Sequence, residues 1–397
     1  MRARPVALMA VLVVSLGSPA FAAKLRVPQQ YPTISSAVAA AAPGDVVEVQ
    51  GGPYAEQVVI DKSIRLVGKG TALIKAPPAM TGSKAIVTVT GGNVDATIQG
   101  LTIAGPGDGG CDSLRWGIRV EAGAHAAIRH NEILEIRDEP LGGCQNGVGI
   151  VVGREADGTS GTADVEGNYI AGFQKNGMVV SNAGSGALVE NNVVVGAGAS
   201  AVIAQNGIQV SDGAVAKVRH NTVRNMRYAP QDLADGGLLI FGAGAGSEFE
   251  MNLVENVDVG IFLVSTSDVA VRRNRASGST YDGIALVESS GNVFRDNLVE
   301  GNSRGGAGFG AGIGLYLSST GNTIAGNTAR MNKDNGFFAD DSSIGNRFRE
   351  NDAFRNKGYG FSDSSAGAGT AGTGNLYRRN VAYANVRGDS SPAGVAQ

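Results

Sequence analysis

The side chains best suited to chemistry sit where the chain departs from its own repeat. Asp138, Glu139, Asp232 and Asp235 are carboxylates in such stretches, and Arg119 lies on an adjoining strand. These five are the catalytic candidates. Paired carboxylates act as acid and base in glycoside hydrolysis. Carboxylates grouped with arginine suit a second reaction, in which a bound Ca²⁺ assists proton abstraction beside a uronate carboxyl. Asp112, Arg115, Trp116, Gln209 and Tyr228 are the substrate-binding candidates, since the two rings can stack on sugars and the polar groups can meet hydroxyls or carboxylates. The competing reading of each is a solvated loop residue, with Asp capping a turn and Trp116 packing over a disulfide.

The elements that must position these groups are countable. A Gly opens a short apolar strand at Gly117, Gly147, Gly177, Gly207, Gly237, Gly260, Gly283, Gly312, Gly336 and Gly360. An Asn follows an apolar strand at Asn131, Asn168, Asn192, Asn221, Asn252, Asn274, Asn297, Asn327, Asn351 and Asn380. Short alternating strands at a period of twenty to thirty residues mean a solenoid, and β-branched inward positions mean a β-solenoid. Asn suits the coil corners because it tolerates left-handed backbone, and its amide can bond to the Asn one coil away. Asn292, Asn322, Asn346 and Asn375 predict a second ladder; Asn302, Asn332, Asn356 and Asn385 predict a third. His130 and His220 share the position before a ladder Asn, with two coils between them, so they predict exposed structural histidines rather than a metal pair.

From Asn to the next Gly the step is 8 or 9 residues in some coils and 15 or 16 in others. The extra residues therefore fall at one corner, and insertions on one edge of a solenoid commonly build its binding face. The loops are 104–116, 136–146, 197–206, 226–236 and 302–311. Cys111 and Cys144 occupy the first two, and stacking makes a Cys111–Cys144 disulfide geometrically reasonable. From Gly to the following Asn the step is 14 or 15, except for 21 after Gly147 and 20 after Gly360. Outward positions from Leu239 to Phe262 are apolar, which predicts a stripe covered by the chain's own loop.

Residues 1–22 read as a cleaved export signal. Arg2 and Arg4 precede the apolar run Val6 to Leu16, and Ala20-Phe21-Ala22 fits a cleavage site. That run is too short to span a membrane. A secreted or periplasmic protein is expected, acting as a monomer along its loop-decorated edge on a polysaccharide or cell-surface glycan, with an acidic glycan favoured. The net charge of −3 and the absence of a Lys/Arg run argue against nucleic-acid binding. Thr33 predicts the N-cap of a short helix over residues 33–42 that covers the first coil. The domain is placed at 23–386, with 387–397 as a flexible tail.

The stretch Tyr31-Pro32-Thr33-Ile34, Pro43-Gly44-Asp45, Tyr54-Ala55-Glu56-Gln57 and Ser63-Ile64-Arg65-Leu66-Val67-Gly68 resembles the opening coils of the pectin lyase-like superfamily. The later repeat, G-I-x-L followed by G-N-x-[IF]-x-x-N-x-x-x-x-N, resembles carbohydrate-binding and sugar-hydrolase repeats. Those occur in polysaccharide lyases, mannuronan epimerases and an accessory protein of nitrous oxide reductase maturation. The resemblance spans residues 25–386. It implies an all-β fold, a single-stranded right-handed parallel β-helix of about 12 coils. It carries over no catalytic residue, because the polygalacturonase, methylesterase and D-P-H-D epimerase motifs are all absent. The fold hosts several chemistries, so lyase, hydrolase, epimerase and non-catalytic binding all stay open.

Overall fold

The computed structural model describes residues 22–230, 235–302 and 310–396. Three parallel sheets of 14, 13 and 13 strands run the length of the rod, and successive coils are neighbours in each. One coil shows the pattern: Asp95–Gln99 in sheet 1, Thr102–Ala104 in sheet 2, then Trp116–Glu121 in sheet 3. Alternate residues of every strand point inward, so each inward position becomes a row along the rod. Ile98, Ile128 and Val165 share one such row, all fully or almost fully buried. Towards the far end the rows become aromatic. Phe337 stacks on Phe361 with ring centroids 4.8 Å apart, and Phe348 on Tyr377 at 4.6 Å.

The glycine marker is a close-approach requirement. A Cβ placed on Gly177 would lie 2.3 Å from Val194 Cγ1 and 2.7 Å from the Gly207 carbonyl oxygen. The asparagine marker has a different basis from the one expected. Left-handed backbone belongs to the residue before each Asn of the first ladder, such as His130 (φ 52°), His220 (φ 57°) and Asp296 (φ 57°). The Asn itself is selected for its buried amide. Asn297 Nδ2 donates to Asn327 Oδ1 at 2.9 Å and to the Val271 carbonyl at 2.9 Å, while its Oδ1 accepts both N–H and Nδ2 of Asn274. All three ladders form this way, from Asn131 to Asn380, Asn292 to Asn375 and Asn302 to Asn385. The two histidines occupy exposed corners, three coils apart.

Both ends of the core are closed. The helix Ile34–Ala40 has Thr33 as N-cap in a capping box with Ser36, and buries Ile34, Ala37 and Val38. At the other end the expected flexible tail is ordered. Gly388–Ser391 pairs with Tyr359–Asp363 in sheet 3, and Val395 is fully buried against the core. An apolar side chain that plugs an open solenoid end gains burial that a solvated tail would forfeit. Residues 1–21, most of the expected export signal, lie outside the described residues, as does most of the loop 302–311. Among the described residues no helix is long and apolar enough to cross a membrane.

Candidate functional site

The insertions gather at the corner between sheets 2 and 3. Loops 104–116 and 136–146 lie side by side, and Gly107–Asp108 pairs in parallel with Asp138–Glu139. Cys111 and Cys144 form a disulfide across them, with Cα atoms 5.8 Å apart. Asp138 is fully buried and serves this packing. Its Oδ1 accepts Ser113 N–H at 2.9 Å, Ser113 Oγ at 2.7 Å and Leu114 N–H at 3.1 Å; its Oδ2 accepts Gln174 Nε2 at 3.2 Å. A carboxylate so occupied has no free face for a substrate, so its expected catalytic role is replaced by loop fastening.

The neighbouring candidates are also spoken for. Glu139 is exposed and paired with Arg137 at 2.5 Å. Asp112 holds Arg115 through two hydrogen bonds of 2.9 and 2.6 Å, and this pairing lowers the Asp112 carboxyl below its usual range.

A cleft of about 240 Å³ does open on the outer face of sheet 3, one wall away from these loops. Four consecutive coils floor it with Trp116, Val148, Val151, Asn176, Val179, Ser181 and Gln209. Gln145 and Lys175 stand on the sheet 2 side; Arg154, Glu155, Ala156 and Asp212 stand on the sheet 1 side. Asn176 Nδ2 donates to Gln209 Oε1 at 2.7 Å, Gln209 Nε2 to Ser211 Oγ at 3.1 Å, and Ser181 Oγ to Asp212 Oδ2 at 2.7 Å. Gln209 therefore belongs to a polar chain that crosses the floor.

Trp116 is a floor residue as well and Arg119 lies against its ring, both in roles other than those expected. Trp116 is only 5% exposed and packs with Ala85, Val148 and Val151. The guanidinium carbons of Arg119 and Arg154 lie 5.9 and 5.5 Å from its ring centroid. The ring thus sits under cations and offers no free face for a sugar to stack on. Its Nε1–H has no acceptor among the described residues. Arg119 pairs with Glu121 at 2.5 Å and Asp157 at 2.8 Å, and Arg154 with Asp157 at 2.5 Å.

Beyond Lys175 the same row of the sheet 2–3 corner carries acids. Asp235 is 1% exposed, and its Oδ1 accepts Asp258 N–H at 3.1 Å. Burial, and then the charge of Asp258 one coil on, push the Asp235 carboxyl well up. Asp258 is raised by burial too, while Tyr228 meets it through its backbone N–H at 2.9 Å rather than its ring. Asp235 Oδ2 and Asp258 Oδ1 have no partner among the described residues. Lys175 is lowered by burial, with Asp235 opposing, and donates to the Ala204 carbonyl at 2.8 Å. Asp282, one row along, is pushed up to about 7 by burial, against hydrogen bonds from Tyr316 at 2.9 Å and Ala311 N–H at 2.8 Å. Asp232 lies outside the described residues. Among the described residues no three His, Cys, Asp or Glu side chains converge on a metal-sized space.

Sequence reasoning missed Arg154, Glu155, Lys175, Asn176 and Asp212. The wall Arg154–Ala156 comes from the excursion that lengthens the step after Gly147 to 21 residues, so the signal was present in the spacing. The second long step, after Gly360, is the excursion near the closed end of the rod. The apolar stripe continues to Tyr316, where Val259, Tyr281, Ala285 and Tyr316 form a small buried cluster.

No curated protein sequence matches the chain. Several solved structures share its fold. A DFA-IIIase from Arthrobacter chlorophenolicus A6 superposes with a TM-score of 0.57 at 14% identity, over 82% of this chain and 93% of that one. A periplasmic alginate epimerase gives 0.54 at 14% identity, over 87% and 77%. The A-module of a mannuronan C-5 epimerase from Azotobacter vinelandii gives 0.52 at 15% identity, over 91% and 92%. The family model for the right handed beta helix region matches residues 81–249 and 148–313, together more than half of the chain. The chain belongs to the right-handed β-helix family and has its parallel β-helix fold.

Proposed function

We propose that this is an exported protein that binds a carbohydrate chain in the sheet 3 cleft. The observation that carries the reading is the cleft itself, built across four coils, walled on both sides and lined by side-chain amides, hydroxyls and paired charges. Such a lining suits sugar hydroxyls, which donate and accept at once. Its charges balance: Arg154 and Lys175 line it together with Glu155 and Asp212. That balance favours a neutral sugar in the cleft over an acidic one. Export is supported by the leading basic and apolar residues and by the disulfide. The structural neighbours, a DFA-IIIase and two alginate epimerases, lend a carbohydrate-acting precedent for the fold.

A processing activity is the second reading, and one observation favours it. Asp235 lies two coils from the cleft residue Lys175, in the same row beyond Gln205, with its neutral, proton-donating form favoured by burial. The described residues do not fit a carboxylate-bound Ca²⁺, so no step is routed through one. A panel of neutral and acidic glycans, incubated with the protein in Ca²⁺ and in chelator, tests both readings. Binding without new ends supports the first; new reducing or unsaturated ends lost in Asp235→Asn support the second. No binding to any glycan contradicts both.

A further inference from the structure

A second charged surface lies on another face of the rod. The strands Ala270–Arg272, Val293–Arg295, Thr323–Ala325, Arg347–Arg349 and Leu376–Arg378 are consecutive in sheet 1. Each buries its middle residue and turns the flanking two outward. Of the ten outward positions, five are arginine (Arg272, Arg295, Arg347, Arg349 and Arg378) and none is acidic.

The register is unbroken. Arg272 lies beside Arg295, Arg295 beside Ala325, Ala325 beside Arg349, and Arg349 beside Arg378, while Arg347 lies beside Leu376. All five arginines are exposed, and none is ion-paired with a described residue. Beside the strip the opposite holds: the corner residue Arg273 pairs at 3.1 Å with Glu250, the strand residue that flanks Arg272 in register and ends the strip, and at the corner Arg379 pairs with Glu350 at 3.8 Å. The first half of the same sheet face is also balanced, with Arg129 on Glu166, Arg219 on Glu190 and Lys217 on Glu248.

Like charges in adjacent, in-register strands repel, so the unbalanced half is not a stabilising device of the fold. We propose that it binds a linear acidic polysaccharide, a uronan, laid lengthwise along the rod. Guanidinium groups take carboxylates through paired, planar hydrogen bonds. The coil rise of about 4.8 Å is of the order of one sugar ring, so an extended uronan can meet the strip at repeated intervals. The face is open and flat, which suits a polymer rather than a small anion. Acids at the corner (Asp296, Glu350) and the net charge of −3 oppose a densely charged nucleic acid. The strip and the sheet 3 cleft lie on different sheets, and neither proposal depends on the other.

The test is calorimetric titration of the purified protein at low salt with a galacturonan fragment, a neutral dextran and an oligothymidylate. The triple variant Arg295→Gln, Arg349→Gln, Arg378→Gln and the single Arg349→Gln are compared with the unmodified protein and with Lys217→Gln, a substitution in the balanced half of the same face. All substitutions are on outward positions, and circular dichroism checks that the coils persist. The expected result is galacturonan binding that weakens at least about tenfold in the triple variant and by an intermediate factor in the single. The log–log salt slope should fall by roughly two units, and Lys217→Gln should bind galacturonan as the unmodified protein does. Absence of galacturonan binding, binding unchanged in the triple variant, or equal binding of the oligothymidylate would each overturn the proposal.

Discussion

Replacing Asp282 by asparagine should make stability less dependent on pH, and the size of the effect follows from one buried carboxyl. Asp282 is 1% exposed, and burial pushes its pKa up to about 7. In the unfolded chain the same group titrates near about 3.9. The folded state therefore holds the proton more tightly than the unfolded one. This contribution is fully present below about pH 4 and is lost as pH rises through about 7. The gap of roughly three units corresponds to about 4 kcal/mol of stability lost between acid and mildly alkaline conditions. In Asp282→Asn the amide oxygen would still accept from Tyr316 and Ala311 N–H, and the side chain would never ionise. For a chain of this length about 4 kcal/mol is worth on the order of 5 °C in melting temperature. Scanning calorimetry from pH 4 to 8.5 should show the unmodified protein losing about that much relative to Asp282→Asn, with the two converging in acid. A constant difference at every pH would refute the reasoning.

Three further outcomes concern the ladder, the disulfide and the buried acid beside the cleft. Asn297→Ala leaves the N–H and Nδ2 of Asn274 without their acceptor and the Val271 carbonyl without its donor, so it should cost about 3 kcal/mol or more in a denaturant titration. Its neighbour Asp296→Gly, at an exposed left-handed corner, should stay within about 1 kcal/mol of the unmodified protein. Removing the disulfide with Cys111→Ser and Cys144→Ser opens a link across 33 residues, worth about 3–4 kcal/mol in the chain-entropy model; amide exchange should rise first in loops 104–116 and 136–146. Lys175→Met should raise the pH at which Asp235 ionises, because the opposing cation is gone; a carbonyl-labelled infrared titration reads the direction.

The scaffold was legible because its rules are local. Glycine recurs where the next coil's backbone leaves no room for a Cβ, and asparagine recurs where a buried amide must link two coils. The edge bearing the insertions was legible too, since extra residues register as longer steps. What those loops do was not. Asp138 and Trp116 have the residue types of a sugar site, yet neighbours far away in sequence, such as Gln174 and Arg154, turn them into packing elements. The arginine strip was hidden for a related reason. Its members stand 23, 30, 24 and 29 positions apart along the row through Ala325, so unequal coil lengths conceal their alignment until the strands are stacked. The end of the rod was misread because Val395, one apolar residue in a Gly/Ser/Pro-rich segment, closes the core without any periodic signal.

Trp116 is the only tryptophan of the chain and forms part of the cleft floor, so its emission reports on that site alone. The most direct measurement is a fluorescence titration with neutral oligosaccharides, repeated with Gln209→Ala. A carbohydrate held in the cleft should shift or quench the emission saturably, with affinity at least about tenfold weaker in the variant, as expected when buried polar partners are lost. Binding of a neutral oligosaccharide detected by calorimetry with no change in Trp116 emission, or with unchanged affinity in Gln209→Ala, would contradict the placement of the site.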